Sequence, residues 1–273
     1  MRAHVRRFTW FSSVWVLLLL CNSTYAQSTS LSGAYGFLVT AASFMRPNNN
    51  GTALLGMLNF DGAGNVTGSY AFESGSQSAN KAAQNIAGSL TGSYAINPDG
   101  TGNLTLNLDA GLSSTLAMVI ASGGQSIHLV QTNCFFNGDG CNNFASMTSG
   151  YARAAQAGPL NGSYALELNS APNPNGTVGV LNFDGNGNVT LSFTSVAPGR
   201  DDTTGQMPVT TGSLTGTYST NPDGTGSITF NGSLGQATTS SFVYAITDGG
   251  SRLLLLMTDG TLSDVWYGSA RQQ

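Results

Sequence analysis

The chain has 273 residues, of which only 8% are charged, and its net charge is −4. Three of its 9 basic residues and none of its 13 acidic ones lie within residues 1–26, so the remainder carries a net charge of −7. This acidic balance argues against a nucleic-acid partner, which selects basic patches, and against docking on anionic lipid. Gly, Ser, Thr and Asn replace the charged residues that make up about 25% of ordinary domains, and this composition favours an exported protein.

The first 26 residues have the organisation of a secretory signal peptide. Three arginines precede an apolar stretch at residues 8–21, and small and polar residues follow it. An apolar stretch of about 14 residues fits a signal peptide and is short for a membrane span of about 20. The alternatives are an uncleaved anchor and a lipidated Cys21, which Leu20 at the preceding position disfavours. We therefore expect a secreted or periplasmic chain that begins near Gln27 and has no transmembrane span.

The rest of the chain consists of two copies of one sequence unit. Six motifs occur in the same order in both halves: residues 31–35 and 160–164, 56–67 and 179–190, 88–94 and 212–218, 97–102 and 221–226, 123–124 and 249–250, and 150–153 and 268–271. Six ordered matches predict a duplication, with a first unit over residues 27–158 and a second over residues 159–273. Each unit has a normal domain size, so we expect each to fold alone.

Both units have the pattern of strands separated by tight turns. Apolar and polar residues alternate along residues 164–168, 189–193 and 242–246, as in half-buried strands. Eight strands are predicted in the second unit, near residues 162–168, 178–183, 188–194, 212–219, 226–231, 239–247, 252–258 and 263–270. The expected fold is all-β, with two tandem antiparallel meanders of about eight strands each. Closure of each meander into an up-and-down β-barrel is favoured because it removes exposed edges, and a β-sandwich is the alternative.

Four repeated aspartates fall in the predicted turns. Asp61 and Asp184 begin Gly-rich hairpin turns, and Asp99 and Asp223 lie in Asn-Pro-Asp-Gly turns. Aspartate in such turns accepts hydrogen bonds from its own backbone. The turn at Asp184 is also similar to the start of a calcium-binding loop, but Val189 stands where that loop requires glycine. The turn role is therefore favoured.

The motifs carry a resemblance to known barrels. A Leu-x-Gly-x-Tyr strand, a Phe-Asp-Gly-x-Gly-Asn hairpin and a Leu-Thr-Gly-x-Tyr strand follow one another in both units. This order resembles calycin-type barrels of the lipocalin and avidin group, and also tandem, exported, uncharacterised proteins from environmental bacteria. The resemblance implies closed barrels whose interiors hold side chains or one small ligand. Avidin-like sites use several tryptophans, whereas only Trp266 remains beyond residue 26, so biotin binding is not implied.

Few residues are candidates for chemistry. Cys134 and Cys141 are predicted to form a disulfide, because they are the two cysteines beyond residue 26 of an exported chain. His128 is the only histidine beyond residue 26, and the two glutamates, Glu73 and Glu167, lie at non-equivalent places in the units. Neither a catalytic triad nor a carboxylate pair is recognised, and no catalytic residue, metal site or cofactor is assigned.

The repeated Gly-x-Tyr motif contains the remaining candidates for a site, Tyr35, Tyr94, Tyr164 and Tyr218. Tyrosine combines apolar area with a hydroxyl and suits a pocket wall, but packing over the neighbouring glycine is favoured. The expected function is a non-catalytic binding module, in which each barrel holds a small apolar ligand or a surface binds a glycan or protein. The alternatives are a structural or adhesive cell-envelope protein and a calycin-like barrel enzyme.

Overall fold

The computed structural model describes residues 30–42, 51–74, 84–133, 147–156, 158–171, 175–197, 207–234, 239–258 and 264–273. The first eight strands are β1 (Ser32–Ala42), β2 (Gly51–Asp61), β3 (Asn65–Ser74), β4 (Gln84–Ile96), β5 (Thr101–Leu108), β6 (Ser113–Ala121), β7 (Ser126–Gln131) and β8 (Met147–Ala154). The next eight are β9 (Asn161–Ala171), β10 (Gly176–Asp184), β11 (Asn188–Val196), β12 (Val209–Thr220), β13 (Thr225–Phe230), β14 (Ser240–Thr247), β15 (Arg252–Met257) and β16 (Val265–Gln272). Within these ranges, no helix is long and apolar enough to cross a membrane.

The strands form two closed antiparallel barrels. Each strand pairs with its neighbours in sequence, and the last strand of each set returns to pair with the first, β8 with β1 and β16 with β9. The prediction of two tandem up-and-down barrels is therefore confirmed, and the β-sandwich alternative is wrong. All eight strands predicted for the second unit are present, with ends that differ by a few residues.

Alternation and turn chemistry explain why these segments form strands. Along β5, buried Leu104, Leu106 and Leu108 alternate with more exposed residues, so one face of the strand lines the barrel interior. The Asp61 carboxylate accepts hydrogen bonds from the backbone N–H groups of residues 63 and 65 at 2.7 and 2.9 Å, and Asp184 does the same with residues 186 and 188 at 2.7 and 3.0 Å. The predicted turn role of these aspartates is confirmed.

Each barrel contains the same aromatic cluster near one end. The rings of Tyr35 and Tyr94 pack edge-on against Phe60, with centroid distances of 5.3 and 5.0 Å. Tyr164 and Tyr218 pack in the same way against Phe183, at 5.4 and 4.9 Å. All four hydroxyls donate to backbone carbonyl oxygens, at 2.6 to 2.9 Å. The Gly-x-Tyr tyrosines therefore pack the core, as favoured from the sequence.

The two barrels contact each other through apolar side chains on their outer faces. We call these residues the junction cluster: Leu38, Ala53, Leu55, Met57 and Ala71 from the first barrel, and Ala245, Leu254, Leu256 and Val265 from the second. All are at most 7% exposed. The approach is close at Gly36, where an added Cβ would lie 2.6 Å from Cγ2 of Thr247. An isolated barrel would expose this surface, so the expectation that each unit folds alone stays a prediction.

Polar contacts join the barrels beside the junction cluster. The guanidinium of Arg153 donates to Asp248 across the contact, at 3.2 Å, and Arg252 lies 3.4 Å from the same carboxylate. The side-chain amide of Asn85 donates to the backbone carbonyl of Thr258 at 2.7 Å. The contact between the barrels therefore combines a buried apolar patch with polar contacts beside it.

Candidate functional site

The interior of the second barrel offers little room for a ligand. The cavity in the second barrel, between Leu168, Leu191, Phe242 and Leu255, has a volume of about 10 Å³. A single water molecule needs at least about 10–15 Å³, and small-molecule sites occupy about 300–1,000 Å³. The inward-facing side chains of the first barrel are also buried, including Phe37, Leu104 and Leu116 at 0% exposure. The expected apolar ligand inside each barrel has no space in the second.

A larger space lies outside the barrels, where their walls diverge beside the junction cluster. This interbarrel groove has a volume of about 490 Å³. Strands β1, β7 and β8 form one wall, and β9 and β16 form the other. Its polar side chains are Thr40, His128, Ser149 and Tyr151 from the first barrel, and Glu167, Asn169, Tyr267 and Ser269 from the second. Clefts between domains are common ligand sites, and this volume lies within the usual range.

Strand pairing places the polar residues of the groove in adjacent rows. On the first wall, Tyr151 stands directly opposite His128 on one side and Leu38 on the other. On the second wall, Tyr267 stands opposite Asn169, and Ser269 stands opposite Glu167. Directly opposite residues in an antiparallel pair have Cβ atoms about 4.5–5.5 Å apart. Each wall therefore presents one aromatic ring beside a side chain that can form hydrogen bonds.

The hydroxyls of the groove tyrosines differ from those of the other tyrosines. Six of the eight tyrosines that the structure describes form hydrogen bonds through their hydroxyls to protein atoms: Tyr35, Tyr70, Tyr94, Tyr164, Tyr218 and Tyr244. Tyr151 and Tyr267 are the remaining two, and both line the groove. Within the described ranges, the hydroxyls of Tyr151 and Tyr267 have no protein partner. They are therefore available to a ligand.

The electrostatic setting of the groove is mixed. Burial raises the pKa of Tyr151, and the positive charges of Arg252 and Arg153 partly offset this increase. The Tyr151 hydroxyl thus stays protonated at neutral pH and can donate a hydrogen bond. The arginines that approach it are engaged by Asp248, and the guanidinium of Arg153 lies 5.8 Å from the centroid of the Tyr151 ring.

Of the ionisable residues considered in the sequence analysis, two lie in the interbarrel groove. His128 and Glu167 lie on opposite walls of the groove, and both are exposed. Glu73 is 4% exposed on β3. In the described part of the chain, no group of three or more His, Cys, Asp or Glu side chains could hold a metal ion. Cys134 and Cys141 lie outside the described residues, so the predicted disulfide stays a prediction.

Tyr151 and Tyr267 were not found by sequence reasoning, although a signal exists. They belong to Ser149-Gly150-Tyr151 and Tyr267-Gly268-Ser269, which occupy equivalent places in β8 and β16 with Ser and Tyr exchanged. Their position on the outer face of a strand predicts exposure to solvent, where large aromatic residues are uncommon. Only the packing of one barrel against the other shows that both face a shared cleft.

Comparison with known proteins adds little to this description. No protein-family model matches the chain, and no curated protein matches it. A de novo designed fluorescence-activating β-barrel is similar, with a TM-score of 0.30 and 14% identity over 47% of this chain and 97% of the design. The crystal structure of Rv2717c from M. tuberculosis has a TM-score of 0.21 and 15% identity, over 70% of this chain and 92% of that one. Similarities this distant do not bear on function.

Proposed function

We propose that the chain is an exported, non-catalytic binding protein whose ligand occupies the interbarrel groove. The observation that carries the proposal is the position of Tyr151 and Tyr267, whose hydroxyls lack protein partners in the described part of the chain and which face one cleft of about 490 Å³. Both tyrosines are half-buried and pack against the junction cluster, but this packing leaves their hydroxyls without a described protein partner. Two such hydroxyls at one cleft between the units are consistent with ligand contact.

Packing inside the second barrel supports a site outside it. The space of about 10 Å³ in the second barrel cannot hold an apolar ligand of ordinary size. The groove, by contrast, is open to solvent and is bounded by strands on both sides, which are rigid supports for binding side chains. The ligand therefore contacts both units at once.

A binding role is favoured over catalysis by the state of the ionisable groups in the groove. Catalytic acids and bases are commonly buried and held by partners that shift their pKa. His128 and Glu167 are exposed, and neither side chain forms a hydrogen bond to another described residue. Export is supported by the organisation of residues 1–26 and by the low charge of the remainder.

Two single-residue reporters allow the proposal to be tested. His128 is the only histidine beyond residue 26, and it lies in the groove. Trp266 is the only tryptophan beyond residue 26, and it packs in the core of the second barrel. Protein exported from cells that express the full chain would be titrated with a neutral oligosaccharide mixture, uronic-acid oligosaccharides, short peptides and a fatty acid. Mass spectrometry of the same sample would show whether residues 1–26 have been removed.

We expect at least one ligand class to shift the ring-proton resonances of His128 without changing the emission wavelength of Trp266. A fatty acid that changes Trp266 emission and leaves His128 unaffected would instead place the site inside the barrel. If no class affects His128, the groove is not a binding site, and the structural cell-envelope role becomes the better explanation of the chain.

A further inference from the structure

We propose that the interbarrel groove binds an uncharged oligosaccharide, an inference that rests on the binding role proposed above. The first reason is the aromatic ring of Tyr267, which lines the groove, whereas the guanidinium of Arg153 already lies over the ring of Tyr151, 5.8 Å from its centroid. The face of an aromatic ring is electron-rich, and the C–H groups on one side of a sugar ring pack against it favourably. Tyrosine also carries a hydroxyl that can bond to the hydroxyls of a sugar.

The side chains beside the tyrosines supply the second reason. Asn169 stands next to Tyr267, and its amide offers donors and an acceptor in one plane. Glu167 stands next to Ser269, and His128 stands next to Tyr151. Neighbouring hydroxyls on a sugar ring act as donor and acceptor together, so they fit such side chains better than an apolar ligand does. The combination of ring and hydrogen-bonding neighbour is repeated on both walls.

The charges of the groove argue against an anionic ligand. Among the described lining residues, Glu167 is the only acidic one, and none is lysine or arginine. Arg153 and Arg252, which act on Tyr151, are engaged by Asp248. Phosphate and carboxylate ligands are bound chiefly by free arginine and lysine, which the described lining lacks.

Closure of the barrels argues against an extended peptide. A bound peptide strand takes its affinity from backbone hydrogen bonds to a free sheet edge. Both barrels are closed, so β1, β8, β9 and β16 have partners on both sides. A ligand in the groove must therefore be held by side chains alone, as a hydroxyl-rich oligosaccharide can be.

The test is isothermal titration calorimetry of the whole protein with neutral gluco-, xylo- and N-acetylglucosamine oligosaccharides at up to millimolar concentration. We expect one of them to bind. Tyr267→Leu should weaken binding about tenfold, because it removes the ring contact and the hydroxyl. Tyr267→Phe keeps the ring and should weaken binding less. Asn169→Ala should weaken binding as well, whereas Asn103→Ala, at an exposed position on the outer face of β5, should leave it unchanged.

Thermal unfolding of each variant tests for loss of fold. Asn169 and Asn103 are exposed, so their variants should leave the melting temperature nearly unchanged. Tyr267 packs against the junction cluster, and Tyr267→Phe is the variant that keeps this packing. If none of the neutral oligosaccharides binds, but a short peptide, a fatty acid or a uronic-acid oligosaccharide shifts His128, the sugar proposal is overturned and the groove remains a site. If no compound shifts His128, both proposals fail. Equal loss of affinity in the Asn169 and Asn103 variants would also overturn the assignment to the groove.

Discussion

Leu254 offers a direct measure of how firmly the two barrels are joined. It faces the first barrel within the junction cluster and is 0% exposed, whereas its neighbour Leu255 faces the interior of the second barrel and is 1% exposed. In a separated second barrel, Leu254 would lie on the outer face in contact with water. The cost of shortening its side chain therefore depends on whether the barrels are docked.

With the barrels docked, Leu254→Ala should lower the free energy of unfolding by about 3 kcal/mol, within the usual 2–5 kcal/mol for a fully buried leucine. If both barrels unfold together, the melting temperature should fall by roughly 6–12 °C for a chain of this size. The assay is guanidinium unfolding followed by circular dichroism, with calorimetry for the melting temperature. Leu255→Ala is the matched control, because its side chain is buried whether or not the barrels dock.

His128→Ala is the second control. His128 occupies the position in β7 that corresponds to Leu254 in β15, but its side chain is exposed. Its effect should stay within about 0.5 kcal/mol, as at other surface positions. The reasoning is refuted if Leu254→Ala costs no more than His128→Ala while Leu255→Ala costs its full amount. That result would mean that the barrels separate in solution, and the interbarrel groove would then not exist as a defined site.

Further predictions concern titration and cross-linking. Hydrogen bonds from the side chain of Asn188 and from the backbone lower the pKa of Asp184 from its usual 3.8. Its carboxylate therefore stabilises the fold above about pH 4, and Asp184→Asn should lower the melting temperature near neutral pH but not in strong acid. Burial raises the pKa of Tyr244 from 10.0 to about 12, so stability present below pH 10 should be lost as pH rises towards 12, and Tyr244→Phe should remove this dependence in alkaline denaturation curves. Thiol titration of unreduced protein should find no free thiol at Cys134 or Cys141, and free thiols there would exclude the disulfide.

The fold could be predicted from sequence because its determinants are local. The alternation of residues 189–193 identifies β11, and the Asp-Gly-Asn-Gly turn that precedes it fixes the hairpin with β10. Sequential pairing of eight such strands then leads to a closed barrel, since closure leaves no edge exposed. Both steps depend on residues close together in the chain, which is why the duplicated motifs were informative.

The junction between the barrels was not predicted, although residues 253–257 contain a signal. These five positions are all apolar, and they are buried on both faces of β15. A strand that packs on one face only should alternate, so an unbroken apolar run indicates that both faces are covered. The run does not indicate what covers the outer face. That depends on tertiary packing with β1 and β2, far away in the sequence.

The groove could be predicted least of all, because four of its polar residues come from each unit and nothing local to either unit indicates that the two sets meet. His128 and Glu167 were singled out only for their rarity, and both lie in the groove. The tyrosines were sought in the Gly-x-Tyr motif, where they pack the core. The two that face the groove belong to β8 and β16, at positions where the two copies differ.

At the contact between the barrels, equivalent positions of the two copies carry different residues with different roles. Glu167 pairs with Val178 and Ser269, just as Leu38 pairs with Leu55 and Tyr151, so Glu167 and Leu38 are equivalent. In the first copy this position is a leucine of the junction cluster, and in the second it is a carboxylate of the groove. Averaging the two copies, as consensus design does for repeats, would place the wrong residue in one of them. Each half therefore carries surface residues whose contacts are completed by the other half.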